Sequence, residues 1–176
     1  MRVRRVSIAA FVACWMFAVS AAAAAADQVI FVVRHGERAD QPGGAPPATP
    51  MMANDPPLSA AGRERANRLA ALLAAADVKH VFATEFLRTQ QTAAPAAQKA
   101  GVQVTTSPSK DTGLLLQQIL KSPGAALVVG HSNTVPDVLK GLGVKTPIAI
   151  ADTEFDNLFI VVRPAAGEPT LIRLRY

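Results

Sequence analysis

Short apolar runs alternate with amphipathic segments along most of the chain. The apolar runs predict four buried strands, at residues 29–33, 78–83, 102–105 and 125–129. Helical spacing of apolar residues and capping signals predict four helices, at 59–76, 85–100, 111–121 and from Pro136 to about Leu142. Strands that alternate with helices indicate an α/β fold, a three-layer α/β/α sandwich whose central sheet is mostly parallel.

The end of the chain has a different pattern. Residues 157–163 and 170–175 are two further strand candidates, joined through a segment that begins with Pro164 and contains Gly167 and Pro169. Polarity alternates along the second one, and the connection is short, so the two predict a C-terminal antiparallel hairpin.

Residues 38–57 break the alternation. This segment carries six of the 13 prolines together with Gly43 and Gly44, a composition that excludes a helix or a central strand. We expect a long insert loop within one domain at 27–176, and long loops in compact domains are often functional.

The first 26 residues have the pattern of a secretory signal peptide. Three arginines precede an apolar run at 6–19, and a series of alanines ends at Ala26. A membrane anchor is the alternative, although the apolar run is short for a span. We expect cleavage after Ala26, contact with the membrane only during export, and a periplasmic or secreted bacterial product.

Removal of this segment changes the charge of the chain. The full sequence has a formal charge of +5, but the leader contains three of the 18 basic residues and none of the 13 acidic ones, so residues 27–176 carry +2. A general electrostatic case for a nucleic-acid partner therefore disappears. The only cysteine, Cys14, lies in the leader, which excludes a disulfide or a thiolate metal site in the mature chain.

Polar residues follow two of the predicted strands directly. Arg34 and His35 come after the first strand, and His131 comes after the fourth. Ligands of open α/β sheets bind beyond the carboxyl ends of the strands, so these residues mark a candidate site. Zinc is a competing ligand for two histidines, but their spacing is not that of metal ligands and a neighbouring arginine repels cations. An anion fits better, and we predict no metal and no cofactor.

Four segments resemble signatures of one family. Arg34-His35-Gly36-Glu37 after an apolar strand is similar to the signature of the histidine phosphatase superfamily, the phosphoglycerate mutase-like proteins. Segments 55–62, 87–93 and 130–134 resemble three further family segments in the same order. The resemblance implies that His35 is the phosphorylated nucleophile and that Arg34, Arg88 and His131 form the phosphate pocket.

Physical chemistry is consistent with these roles. Attack by an imidazole nitrogen requires a neutral ring, and the charges on Arg34 and Arg88 disfavour protonation of His35. Guanidinium forks also match phosphate oxygens. His131 can donate a hydrogen bond to the phosphoryl group, most strongly when protonated, and Gly36 lets the ligand approach the backbone.

Two assignments remain open at this stage. Asn133 is a substrate-binding candidate with a structural turn role as the alternative. Asp111 lies where relatives carry a general acid, but it also reads as a helix N-cap. Glu37 is adjacent to His35 and is a candidate for positioning it, and Glu85 is a weaker acid candidate for which an ion pair with Arg88 is the alternative. An enzyme without an acid would favour donors with good leaving groups, such as acyl phosphates or phosphohistidine.

The leader and the resemblance together imply an exported phosphatase that hydrolyses a phosphorylated small molecule, glycan or phosphoprotein. A mutase that returns the phosphoryl group to a second hydroxyl is one alternative, and a noncatalytic phospho-ligand binding module is another. The insert at 38–57 is a candidate substrate-selecting segment and is too short for a large cap domain. The sequence leaves the oligomeric state open.

Overall fold

The computed structural model describes residues 27–41 and 54–176. Six strands occur among these residues: β1 (Gln28–Arg34), β2 (Val78–Thr84), β3 (Val104–Ser107), β4 (Ala125–Gly130), β5 (Asn157–Arg163) and β6 (Thr170–Arg175). Four helices accompany them: α1 (Ala60–Leu72), α2 (Leu87–Ala100), α3 (Thr112–Lys121) and α4 (Thr134–Gly141).

The strands form one mixed sheet in the order β3-β2-β4-β1-β5-β6. Every pair of neighbouring strands within β1 to β4 is parallel, whereas β5 pairs antiparallel with both β1 and β6. The sequence prediction of a mostly parallel sheet that ends in an antiparallel hairpin is therefore confirmed.

Helices cover both faces of this sheet. On one face, β-strand residues such as Phe31 and Val129 pack with Leu69 of α1 and Ala93 of α2. On the other face, a second buried cluster joins the sheet to α3 and α4; it includes Ile30, Val128, Ile119, Val138 and Phe159. Since apolar side chains leave water on both faces, the parallel strands read as continuous apolar runs. The α/β/α layering is confirmed.

The end of the first helix and the start of the third strand differ from the prediction by a few residues, for local reasons. The first helix ends at Leu72 rather than Ala76, because Ala74 N donates to Ala71 O and Ala76 N to Leu73 O, the three-residue spacing of turns and not the four-residue spacing of an α-helix. The third strand begins at Val104 rather than Val102, because Gly101 adopts the left-handed conformation at the end of α2 and Val102 N donates to Ala97 O.

The second and fourth helices also begin elsewhere than predicted. The second starts at Leu87 rather than Glu85, because Asp55 accepts hydrogen bonds from Leu87 N. The fourth starts at Thr134, two residues before Pro136, since a proline in the first turn gives up no helical hydrogen bond.

The insert begins and ends at one point of the fold. Arg38 and Leu58 form an isolated antiparallel bridge, and Ala39 N donates to Pro57 O at 2.9 Å. Residues 42–53 between these ends lie outside the described residues, as does the expected signal peptide at 1–26. In the part of the chain that is described, no helix has the length and apolar character needed to cross a membrane.

Candidate functional site

Three adjacent parallel strands end at one edge of the sheet and carry the candidate residues with them. Strand β4 lies between β1 and β2, and β1 leads into His35, β4 into His131 and β2 into the start of α2 with Arg88. The backbone N–H of His35 donates to Gly130 O at 2.9 Å, which ties the ends of β1 and β4 together. The His35 and His131 rings are consequently 5.3 Å apart, centroid to centroid.

The tautomer of His35 follows from one hydrogen bond. Its Nδ1 lies 2.7 Å from Gly36 O, and a carbonyl oxygen can only accept. Nδ1 therefore carries the proton, and in the neutral ring Nε2 keeps its lone pair. This is the nitrogen that can attack an electrophile.

The surroundings of His35 keep the ring neutral. Burial is the largest influence and lowers its pKa; the hydrogen bond to Gly36 opposes this, and the charges on His131, Arg88 and Arg34 lower the pKa further, to about 3. The predicted effect of the two arginines is present, but desolvation exceeds it. A neutral nucleophile at physiological pH is the result.

Arg34 is a buried cation with free hydrogen-bonding capacity. Its side chain is 6% exposed, and Nη1 donates to Ala151 O at 2.9 Å and to Glu154 O at 3.1 Å. The guanidinium lies 4.1 Å from the centroid of the Phe155 ring. Its Nε is buried without a hydrogen-bond partner, so the protein leaves one donor of this guanidinium unsatisfied.

Arg88 repeats this arrangement on the other side of the pocket. Its guanidinium lies 4.2 Å from the centroid of the Phe86 ring, and its Nη1 is 3.4 Å from Asp55. Its Nε is also buried and unpartnered. Burial, as the largest cause, lowers the pKa of both Arg34 and Arg88, which means that each cation is incompletely compensated by the protein. A dianionic phosphoryl group would supply the missing charge.

Arg38 is a third cation that the sequence reasoning missed as a site residue. It forms a bidentate ion pair with Asp40, yet its charge contributes to lowering the pKa values of Arg34, Arg88 and His131. Its position in the sequence, two residues after Gly36 and at the start of the insert, could have indicated that Arg38 lies near the site. Arg38 adds to the positive potential over the pocket.

His131 is held by a buried hydroxyl. Its Nε2 lies 2.9 Å from Thr84 Oγ1, and its ring meets Phe86 edge to face. Burial is the main cause that lowers its pKa, to about 4, with the charge on Arg88 next and Glu85 opposing. The expectation that a protonated His131 donates most strongly to a ligand therefore does not describe the protein near neutral pH.

Gly36 has a packing role in addition to the ligand approach that the sequence suggested. A Cβ at this position would lie 2.9 Å from Gly62 O in the first turn of α1, and a Cβ on Gly62 would overlap the backbone of Glu37. Ser59 accepts from Gly62 N and caps α1, as predicted. The loop after His35 is thus in direct backbone contact with the start of α1.

All 13 Asp and Glu residues fall within the described residues; Asp55 lies 3.4 Å from Arg88, and the exposed Asp152 lies 4.0 Å from Arg34. Asp111 is exposed and accepts from Leu114 N at 2.8 Å, the geometry of the helix N-cap that was the alternative to an acid role. Glu37 is paired in a bidentate manner with Arg65 of α1. The structure brings neither residue into contact with His35 or His131.

Glu85 is nearer, but it is held as an anion. Burial alone would raise its pKa, yet hydrogen bonds from its own backbone and from Ser109 N and Oγ lower it. The carboxyl pKa values that depart from normal elsewhere around the site, those of Glu37, Asp40 and Glu154, are also lowered. A general acid needs the opposite shift.

The remaining polar candidates, Asn133 and His80, make no hydrogen bond with the residues of the site. Asn133 is exposed and makes no side-chain capping bond at the start of α4. His80 lies in β2 away from this edge, with its Nε2 3.1 Å from Pro123 O. Among residues 27–41 and 54–176, no three His, Cys, Asp or Glu side chains are grouped in a way that could hold a metal ion.

Comparison with solved structures shows the same fold in small phosphatases. The structure of the protein histidine phosphatase SixA complexed with tungstate has a TM-score of 0.61 at 17% identity, over 84% of this chain and 96% of that one. A mycobacterial glucosyl-3-phosphoglycerate phosphatase has a TM-score of 0.61 at 13% identity, over 82% and 97%. Neither comparison leaves room for a large cap domain. No curated protein sequence matches the chain.

A sequence model of a protein family also matches part of the chain. The model described as histidine phosphatase superfamily (branch 1) matches residues 30–109, which include His35, Arg88 and the bridged ends of the insert. This match over residues 30–109, together with the fold shared with the solved phosphatases, confirms the resemblance of the chain to the histidine phosphatase superfamily.

Proposed function

We propose that the protein is an exported phosphatase that works through a phosphohistidine at His35 and prefers donors with good leaving groups. The observation that carries the proposal is the tautomer of His35: Nδ1 donates to Gly36 O, so Nε2 offers a lone pair in a ring that burial keeps neutral. The superfamily and its phosphatase neighbours support phosphatase activity.

The first step forms a bond between His35 Nε2 and phosphorus while the bond between phosphorus and the leaving group breaks. The incompletely compensated charges of Arg34 and Arg88 stabilise charge on the transferring phosphoryl group. In the second step, water forms a bond to phosphorus, the P–N bond breaks and its electron pair returns to Nε2. The products are phosphate and free enzyme.

The leaving-group preference follows from the carboxylates. The nearby Glu85 is held ionised by Ser109, and Asp111 is occupied as a helix cap. An alkoxide cannot depart without a proton, whereas an acyl phosphate releases a stable carboxylate and a phosphohistidine protonated on its distal nitrogen releases a neutral imidazole. That the SixA structure binds tungstate, a tetrahedral oxyanion, supports an oxyanion pocket at this edge.

The experiment compares substrates and a nucleophile variant. Purified protein is assayed for phosphate release from acetyl phosphate, phosphohistidine and an alkyl phosphate, with wild type and His35→Ala. We expect rapid release from the first two, slow release from the third, and loss of all activity above background in the variant. Equal rates in His35→Ala and wild type would overturn the mechanism.

The same assay separates the alternatives. A mutase would return the phosphoryl group to a second substrate hydroxyl in place of releasing phosphate. A binding module would retain tungstate or phosphate affinity with no turnover. Export is tested separately. The intact mass of the protein recovered from the periplasmic fraction should correspond to a chain that begins at Asp27. A mass that corresponds to a chain beginning at Met1 would contradict cleavage of the leader.

A further inference from the structure

The backbone on both sides of the His35 Cα is held by hydrogen bonds. On one side, His35 N donates to Gly130 O of β4 at 2.9 Å. On the other side, Gly36 N donates to Thr92 Oγ1 at 3.0 Å. Each peptide group is planar, so the two N–H groups report the two backbone torsion angles of His35. Together these hydrogen bonds fix the direction in which the His35 ring leaves the chain.

Thr92 is the side chain in this arrangement. It lies in α2, is fully buried, and is 56 residues from Gly36 in sequence. Its hydroxyl also donates to Arg88 O at 2.8 Å. A threonine in a helix commonly bonds the carbonyl four residues earlier, so the bond to Arg88 alone indicates no special role. The distinctive feature is that the same oxygen accepts from the loop that follows β1.

The direction of the hydrogen bond to Gly36 is unambiguous. A backbone N–H can only donate, so Thr92 Oγ1 accepts from Gly36 N whichever way its own proton points. Because Thr92 is fully buried, water does not compete for this bond. Removal of the hydroxyl would leave the Gly36 N–H without its acceptor, and a buried donor without an acceptor is costly.

Gly36 passes this constraint to the His35 ring. Its carbonyl oxygen accepts from His35 Nδ1 at 2.7 Å, the hydrogen bond that leaves the lone pair on Nε2. Gly36 is therefore held through its N–H by Thr92 and holds the nucleophile through its carbonyl. Since Thr92 Oγ1 also donates to Arg88 O, one side chain connects the loop of His35 to the backbone of a pocket cation.

We propose that Thr92 is a positioning residue for attack by His35, because its hydroxyl holds the loop of His35 against α2. The inference rests on the proposed function and concerns its first step. Thr92 acts through Gly36 and does not touch the substrate. Without the hydroxyl the loop is freed, whereas Arg88 stays on a helix that keeps its own backbone hydrogen bonds. Loss of the hydroxyl should therefore slow attack and leave anion binding intact.

The test compares Thr92→Val, which keeps the shape of the side chain without the hydroxyl, with Thr92→Ser, which keeps the hydroxyl. With enzyme in excess over acetyl phosphate, rapid quench measures consumption of the donor and hence the first step. We expect Thr92→Val to slow this step about tenfold to a hundredfold, since a misplacement of about 1 Å can cost that much. Its affinity for tungstate should stay within about threefold of wild type. Thr92→Ser should restore the rate.

Ala96→Gly is the matched control. Ala96 is buried in α2 one turn beyond Thr92, and a glycine there weakens the helix and removes a buried methyl group without altering the bond to Gly36. This variant should unfold in less urea than wild type and consume acetyl phosphate at close to the wild-type rate. A first step slowed as much as in Thr92→Val would show that any loosening of α2 has this effect, and would overturn the inference.

Amide hydrogen exchange followed by NMR reads the hydrogen bond without turnover. The Gly36 N–H should exchange slowly in wild type and in Thr92→Ser, and faster in Thr92→Val, because a buried hydrogen bond protects the amide. This arm also covers a Thr92→Val protein that does not fold. A Gly36 N–H that exchanges in wild type as fast as an exposed loop amide is enough to overturn the inference.

These outcomes separate the inference from the function on which it rests. Equal first-step rates in wild type and Thr92→Val, or a parallel loss of tungstate affinity, overturn the positioning role and leave the phosphatase intact. Consumption of acetyl phosphate at the same rate by wild type and His35→Ala overturns the proposed function, and the role of Thr92 with it.

Discussion

Acidification from pH 7 to pH 5 tests the burial of the two histidines directly. His35 and His131 are 3% and 8% exposed, and their pKa values are lowered to about 3 and about 4 because the folded protein desolvates the charged form. In the unfolded chain both histidines return to a pKa near ~6.5. The unfolded state therefore binds more protons in this interval, and stability must fall as the pH falls.

The magnitude follows from the two displaced pKa values. At pH 5 almost all unfolded chains carry a proton on each of the two rings, while the folded protein carries few. Linkage then gives a loss of about 2 kcal/mol per histidine between pH 7 and pH 5, and about 4 kcal/mol together. The cost continues to grow below pH 5 until the folded pKa values are reached.

Urea denaturation at the two pH values measures this loss, and variants assign it. We expect His35→Ala to lose about 2 kcal/mol less than wild type on acidification, because one of the two groups is gone. Phe155→Leu is the matched control: it disturbs a ring 6.1 Å from His35 without removing a titrating group, so it lowers stability similarly at both pH values. The same pH dependence in wild type and His35→Ala would refute the reasoning.

Three further predictions concern the pocket and its support. Arg34→Lys and Arg88→Lys keep the charge but lose the planar fork, so kcat/KM for acetyl phosphate should fall by about 10²-fold or more in each; a change under twofold would contradict bidentate binding. Gly62→Ala should lower the free energy of unfolding by about 1–3 kcal/mol, since its methyl group would overlap the Glu37 backbone, and urea unfolding measures it. Glu37→Gln breaks the pair with Arg65 and should cost about 1–3 kcal/mol with activity largely retained; complete loss of turnover would instead indicate a direct catalytic role.

The sheet and its connections were largely predictable because they depend on patterns within short segments. Residues 157–163 and 170–175 are strands with the predicted bounds, since alternation and the proline-rich turn specify the hairpin locally. One shifted boundary depends on a contact from elsewhere in the chain: Asp55 sets the start of α2 from 32 residues away in sequence.

The candidate site also has a part that the sequence predicts and a part that it does not. The positions of His35, Arg34 and His131 follow from the rule that parallel strands end at one edge. Their environment does not, because Phe155 reaches Arg34 through tertiary packing, and nothing in the local sequence marks Thr84 as the partner of His131. Burial, which dominates the histidine pKa values, is likewise a property of the assembled fold.

The bridge between Arg38 and Leu58 has a consequence for the diversification of this scaffold. The two ends of the insert are hydrogen-bonded to each other, and Asp55 near its end also contacts the start of α2. We therefore expect that a change of length or composition confined to residues 42–53 leaves the geometry at His35 unaltered. The predicted substrate-selecting segment could then be exchanged as a unit, in evolution or by design, while the chemistry at His35 is inherited unchanged.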